Sequence, residues 1–275
     1  MTLPTPSDIR RPMSARPDRT VRVALALLAV LAVRPAAADP SPPALLRAEV
    51  LESYPHDPEA FTQGLLLHDG ALYESTGLYG HSSVRKVELA TGKVLQRVDL
   101  PPNLFGEGLA LVGDKLVQLT WREDVAPTYD LASLARSGQF TYSGEGWGLC
   151  FDGTQLIQSD GSNRLTFRDP ATFAVTRQLA VTLQEKPVTQ LNELECVGDR
   201  VYANIWMTDR VVEIGKLNGA VRAVIDASGL LSPAERAARG SDAILNGIAY
   251  DPANDTFLLT GKLWPKVFRV RFVPQ

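Results

Sequence analysis

Five times along the chain an apolar strand, a turn rich in Gly, Asp or Asn, and a second alternating strand recur at a nearly constant interval. The segments begin TQGLLLHDGALYESTG at Thr62, GEGLALVGDKLVQLTW at Gly106, GWGLCFDGTQLIQSDG at Gly146, LNELECVGDRVYANIW at Leu191 and LNGIAYDPANDTFLLTGK at Leu245. Spacings of 44, 40, 45 and 54 residues separate Gln63, Glu107, Trp147, Asn192 and Asn246. Third and fourth strands follow in each unit, SVRKVEL and KVLQRVDL in the first, RVVEIG and AVRAVID in the fourth. Four strands per ~40 to 45 residues is the size of a propeller blade. The repeat therefore predicts an all-β fold, a five-bladed β-propeller with four-stranded blades. The last unit ends at KVFRVRF without a fourth strand. RAEVLESY (Arg47 to Tyr54) precedes the first unit and is expected to supply it, closing the ring and removing free sheet edges. One segment breaks the repeat. In LLSPAERAARG (Leu230 to Gly240), Ser232 is placed as an N-cap, Pro233 at the first helical position and Glu235 three after the cap. This predicts a short helix inserted between blades four and five.

Ahead of the repeats lies a segment of different character. Arg10, Arg11, Arg16, Arg19 and Arg22 precede the apolar run VALALLAVLAV (Val23 to Val33), and AAA (Ala36 to Ala38) precedes Asp39. This is the pattern of a secretory signal peptide over residues 1–38, with the propeller domain at 39–275. Eleven apolar residues are too few for a helix across a bilayer, which needs ~20, so no membrane partner is expected after cleavage. The expected location is periplasmic or secreted. Removing residues 1–38 takes away six arginines and two aspartates and moves the net charge from −3 to near −7. Such a chain lacks the basic surface that nucleic acid requires. Cys150 and Cys196 are the only cysteines; a disulfide and two buried thiols are both open. The three histidines, His56, His68 and His81, have no HxH or HExxH spacing, so no metal site is expected on them. No cofactor is implied, and a monomer is expected.

The residues just before the repeated Gly-Leu, or its equivalent, are Gln63, Glu107, Trp147, Asn192 and Asn246. Innermost propeller strands line a central channel, so these form a ring in which a packing position would carry Val, Leu or Ile. A second ring comes from the end of the next strand: Gly77, Trp121, Gly161, Trp206 and Lys262. Together they give a carboxylate, an ammonium, amides and indoles, the composition of a small-ligand pocket.

The motifs FTQGL (Phe61 to Leu65), TGLYG (Thr76 to Gly80), FGEGLA (Phe105 to Ala110) and LTW (Leu119 to Trp121) are similar to those of the plant and bacterial glutaminyl-peptide cyclotransferases. So are WGLCFDG (Trp147 to Gly153), LNELE (Leu191 to Glu195), NIW (Asn204 to Trp206) and LNGIAYD (Leu245 to Asp251). The resemblance runs from about Tyr54 to the C-terminus, through all five units in order. It implies a metal-independent propeller enzyme that converts N-terminal glutaminyl residues of peptides or proteins to pyroglutamyl and releases ammonia.

That chemistry is attack of the substrate's own α-amine on its γ-carboxamide. It needs a folded near-attack geometry and a proton carrier, with no covalent intermediate. Glu107 is the candidate carrier, on family position and as the only acid of the inner ring. Lys262, Asn192 and Gln63 are candidate donors to the tetrahedral oxyanion. Phe61, Phe105, Trp121, Trp147 and Trp206 are candidate apolar walls, and Asn246 joins the substrate-binding set by symmetry. Glu193, which replaces the Gly of the other units, is open as a second channel acid or a partner for Lys262. Two readings of other classes stand beside this one. One is a non-catalytic exported propeller that binds peptides or scaffolds an envelope complex. The other is a calcium-dependent lactonase-type propeller, with Glu107, Asn192 and Asn246 as oxygen ligands.

Overall fold

The computed structural model describes residues 42–275; the expected signal segment at 1–38 lies outside them. Strand β1 (Ala44–Pro55) comes first. A first sheet holds β2 (Thr62–His68), β3 (Ala71–Thr76), β4 (Ser83–Glu88) and β5 (Val94–Asp99). A second holds β6 (Gly106–Val112), β7 (Lys115–Thr120), β8 (Val125–Asp130) and β9 (Arg136–Thr141). A third holds β10 (Leu149–Phe151), β11 (Leu156–Gln158), β12 (Arg164–Arg168) and β13 (Val175–Ala180), followed by the small hairpin β14 (Thr182–Leu183) and β15 (Lys186–Pro187). Next come β16 (Leu191–Val197), β17 (Arg200–Ile205), β18 (Arg210–Gly215) and β19 (Val221–Asp226). Helix α1 (Pro233–Ala237) then leads to β20 (Leu245–Asp251), β21 (Thr256–Gly261) and β22 (Lys266–Pro274).

The last seven of these strands and β1 form one eight-stranded sheet in the order β16-β17-β18-β19-β1-β22-β21-β20. β1 pairs antiparallel with β22, as the missing fourth strand required, and also parallel with β19 from Ala44 to Arg47. The second pairing was not expected from the sequence. At 12 residues β1 is long enough to satisfy both neighbours, so neither β19 nor β22 is left with an open edge there. The first strands meet in cyclic order: β2 touches β6, β6 touches β10, β10 touches β16, β16 touches β20, and β20 touches β2.

Burial follows this arrangement. The first strands start with five buried residues in succession in β2, β6 and β20, whereas β5 alternates between half-buried and exposed. Apolar side chains between neighbouring sets make five clusters, one per junction. Leu66, Tyr73 and Val84 meet Leu109, Leu116 and Tyr129 at the first. Leu65, Leu72 and Val87 meet Ala249, Leu258 and Val267 where the last set joins the first. A fully buried Leu, Val or Ile contributes about 1.5 to 3 kcal/mol, so stability is spread around the molecule rather than held in one central core. A Cys150–Cys196 disulfide ties β10 to β16 within one of these clusters, which resolves the alternative the sequence left open. In α1, Ser232 caps and Glu235 closes the capping box, with Pro233 in the first turn.

Candidate active site

The ladder between first and second strands slips at the same place in four sets. Register shifts fall between Thr62 and Gly64, Gly106 and Leu109, Leu191 and Leu194, and Leu245 and Ile248. A bulge of this kind takes residues out of the ladder and re-aims their side chains. Gln63, Glu107, Asn192 and Asn246 all sit in these bulges. Trp147 stands just before β10, where the ladder has not yet begun.

A cavity of about 270 Å³ opens there. Nine of the ten residues expected at the site line it: Glu107, Lys262, Asn192 and Gln63, with Phe61, Phe105, Trp121, Trp147 and Trp206. Asn246 does not. It is fully buried behind Gln63, and its Nδ2 donates to the Thr62 carbonyl at 2.9 Å and to Gln63 Oε1 at 3.2 Å. Gln63 Nε2 in turn donates to Glu107 Oε1 at 3.1 Å. Asn246 is therefore a support for Gln63, and Gln63 holds the acid. Asn246, one of the three oxygen ligands that the calcium reading needs, is not among the residues that line the cavity.

Glu107 is 5% exposed, and burial pushes its carboxyl well above the usual carboxylate range. The Lys262 charge opposes this, while Glu123 and Glu145 add to it. Lys262, also buried, is pulled below its ordinary value by burial, against the attraction of Glu107 and Asp242. Its Nζ lies 4.7 Å from the centre of the Phe61 ring, the geometry of a cation on an aromatic face. Asn192 is buried, with its Oδ1 unpartnered in the protein.

The aromatic walls form two pairs. Phe105 meets Trp121 with centroids 5.6 Å apart, and Trp147 meets Trp206 edge-on at 5.6 Å. The glycines of the second ring are seats for these rings. A Cβ on Gly77 would stand 2.4 Å from Phe105, and one on Gly161 would stand 2.6 Å from Trp147.

Glu193 does not pair with Lys262 and does not line the cavity. Its Oε1 accepts from Leu65 N at 3.3 Å and its Oε2 from Ile248 N at 2.7 Å, so it links β16 to β2 and β20 away from the cavity. Four lining residues were not anticipated: Leu78, Met207, Asp242 and Ile244. Leu78 and Met207 follow Gly77 and Trp206 in turns with left-handed backbone, φ 82° and 62°. Asp242 and Ile244 come from the loop after α1; the long 54-residue spacing was the signal for an insertion that reaches the cavity. Asp242 is an exposed carboxylate at the rim, in contrast to the buried Glu107.

Known proteins share this chain's sequence and fold. The glutamine cyclotransferase family matches residues 22–272. A glutaminyl-peptide cyclotransferase of Arabidopsis thaliana is 43% identical over 229 residues, which covers 81% of this chain and 70% of the plant protein. The crystal structure of Myxococcus xanthus glutaminyl cyclase aligns with a TM-score of 0.79 at 40% identity, covering 85% of this chain and 99% of that one. Sequence matches of this extent, together with the matching fold, establish that the chain belongs to the glutamine cyclotransferase family.

Proposed function

We propose that the cavity converts N-terminal glutaminyl residues of peptides or proteins to pyroglutamyl, with Glu107 as the proton carrier. The observation that carries this reading is a single buried carboxyl, raised above its usual range, in a cavity walled by five aromatic rings. The substrate α-amine, of free pKa ~7.7 to 8.0, must be neutral to attack. The Glu107 carboxylate takes its proton as the nitrogen closes on the γ-carbonyl carbon. Lys262 and Asn192 are placed to meet the oxyanion, and a fixed donor is commonly worth about 3 kcal/mol. Glu107 then returns the proton to the amide nitrogen; the C–N bond breaks, ammonia departs, and the lactam leaves Glu107 ionised for the next turnover. The indoles and Phe rings fold the Gln side chain and keep water out.

The five strand sets are, in this reading, the blades of a five-bladed propeller, supported by the cyclic contacts of their first strands. Export to the periplasm or beyond is supported by the sequence of residues 1–38 and by the pairing of both cysteines in one disulfide. Metal-independent turnover is part of this reading, and the chelation arm of the experiment below tests it. The experiment is ammonia release from a short Gln-initiated peptide near pH 8 with EDTA, for wild type and Glu107→Gln. The reading expects undiminished wild-type turnover and a folded variant slower by at least ~10². A wild type inert on such peptides would overturn it, and loss of activity on chelation would overturn the metal-independent part.

A further inference from the structure

Glu145 lies on the turn before β10 and outside both residue rings. Its Oε2 accepts the indole N–H of Trp121 at 2.9 Å and that of Trp147 at 2.9 Å. Its Oε1 accepts from Arg122, whose guanidinium stacks 3.7 Å from the Trp121 ring centre. The backbone beneath is fixed as well. Gly146 N donates to the Trp121 carbonyl at 2.9 Å, and Gln158 Nε2 donates to the Glu145 carbonyl at 3.1 Å. One carboxylate thus joins the Phe105–Trp121 pair to the Trp147–Trp206 pair.

We propose that Glu145 is a positioning residue for the cyclisation, which sets both indole walls through a shared acceptor oxygen. The proposal rests on the reading of the cavity given above. An indole held only by packing can turn about two side-chain bonds, and the Gln side chain must be folded closely for its amine to reach its own amide. A misplacement of about 1 Å can cost ~10² in rate. A bond to a charged acceptor is stronger than one to a neutral group, and a shared oxygen couples the two rings so that neither turns alone.

A second route from Glu145 to the chemistry exists, because its charge also helps to raise Glu107. Two variants separate them. Glu145→Gln removes the charge but keeps an oxygen for both indoles, and Arg122, at 57% exposure, can turn to water. Glu145→Ala removes both. Each indole N–H gives its own signal in a nitrogen-edited proton NMR spectrum, and the chain has four tryptophans. Trp264, whose N–H donates to the Ala243 carbonyl, serves as the internal reference.

The expected result for Glu145→Ala is a shift of the Trp121 and Trp147 indole signals, an unmoved Trp264 signal, and a kcat about 10-fold to 100-fold lower on the pH plateau. Glu145→Gln should keep kcat within about threefold, while the acid limb of the pH profile moves equally in both variants. The positioning role is overturned if the Ala variant shifts its indole signals yet keeps its kcat, if those signals stay in place, or if the Gln variant falls as far as the Ala variant. Absence of ammonia release by wild type would instead remove the cyclase reading; the NMR arm would still report whether Glu145 holds the indoles.

Discussion

At the scale of single residues the governing fact is that Glu107 and Lys262 are both buried and each shifts the other. Burial pushes the Glu107 carboxyl up, and the ammonium restrains it. In the proposed role of base it must be ionised, so kcat/KM falls as pH drops through its raised pKa, and the acid limb should lie above the ~4.3 of an ordinary glutamate. Replacing Lys262 by Met removes the restraining cation. The limb should then move to higher pH, beyond any rate lost with the proposed oxyanion donor; a pH profile of kcat/KM checks this, and a limb that stays or moves down contradicts the coupling. The identity of Glu107 was legible because an acid at a repeat position where the other units carry Gln, Trp or Asn stands out in alignment. Asn246 occupies the same repeat position and was misassigned, because alignment gives the level of a residue along the strand and not the direction its bulge turns it. Glu145 was illegible for a related reason. It lies in a turn outside the repeat, and only the fold brings its carboxylate to two indoles.

Among elements, the hairpins and their order were readable, since period-2 alternation and Gly/Asp/Asn turns are local signals. Helix α1 was readable from Ser232, Pro233 and Glu235 for the same reason. The parallel pairing of β1 with β19 was not, because a contact between residues near 44 and 223 leaves no turn chemistry in between. The disulfide belongs to this scale too. It joins β10 to β16 across 46 residues of sequence, and a loop of that size lowers the entropy of the unfolded chain by an amount worth about 4 kcal/mol. A Cys150→Ser/Cys196→Ser double variant should therefore unfold at a clearly lower temperature by calorimetry, and reductant should bring the wild type toward the variant. Turnover of the folded variant at 25 °C should be close to wild type, because neither sulfur faces the cavity. Equal unfolding temperatures would show that the link adds nothing to the packing around it.

For the whole molecule the seam where the last strand set meets the first is where the two ends of the described residues must be held together. His56, directly after β1, sits there almost fully buried. Its Nδ1 faces the Trp264 carbonyl at 2.7 Å and its Nε2 faces Glu74 Oε1 at 3.0 Å. Both partners are acceptors, so the imidazole satisfies both only when doubly protonated. Arg85 donates to Glu74 through Nε and Nη2 and to Asp57 through Nη1 at 2.7 Å, completing a row of alternating charges. Burial alone would lower the His56 pKa; the charge and hydrogen bond of Glu74, with the hydrogen bond to the Trp264 carbonyl, together outweigh it and raise the value above 6.5, against a smaller opposing effect of Arg85. A group with a raised folded pKa contributes stability that is fully present below its unfolded pKa, ~6.5 here, and is lost as pH rises through the folded value. The unfolding temperature should therefore fall as pH is raised from about 6 through the raised pKa of His56. In His56→Gln, whose neutral amide neither titrates nor carries the charge that faces Glu74, the protein should be less stable at pH 6 and this part of the slope should vanish. The buried Glu193 and the half-buried Glu195 titrate in the same sense, so the quantity that decides is the difference between variant and wild type across the pH series. A constant difference at every pH would mean that the seam is held by shape alone and that the charge on His56 plays no part in closing the molecule.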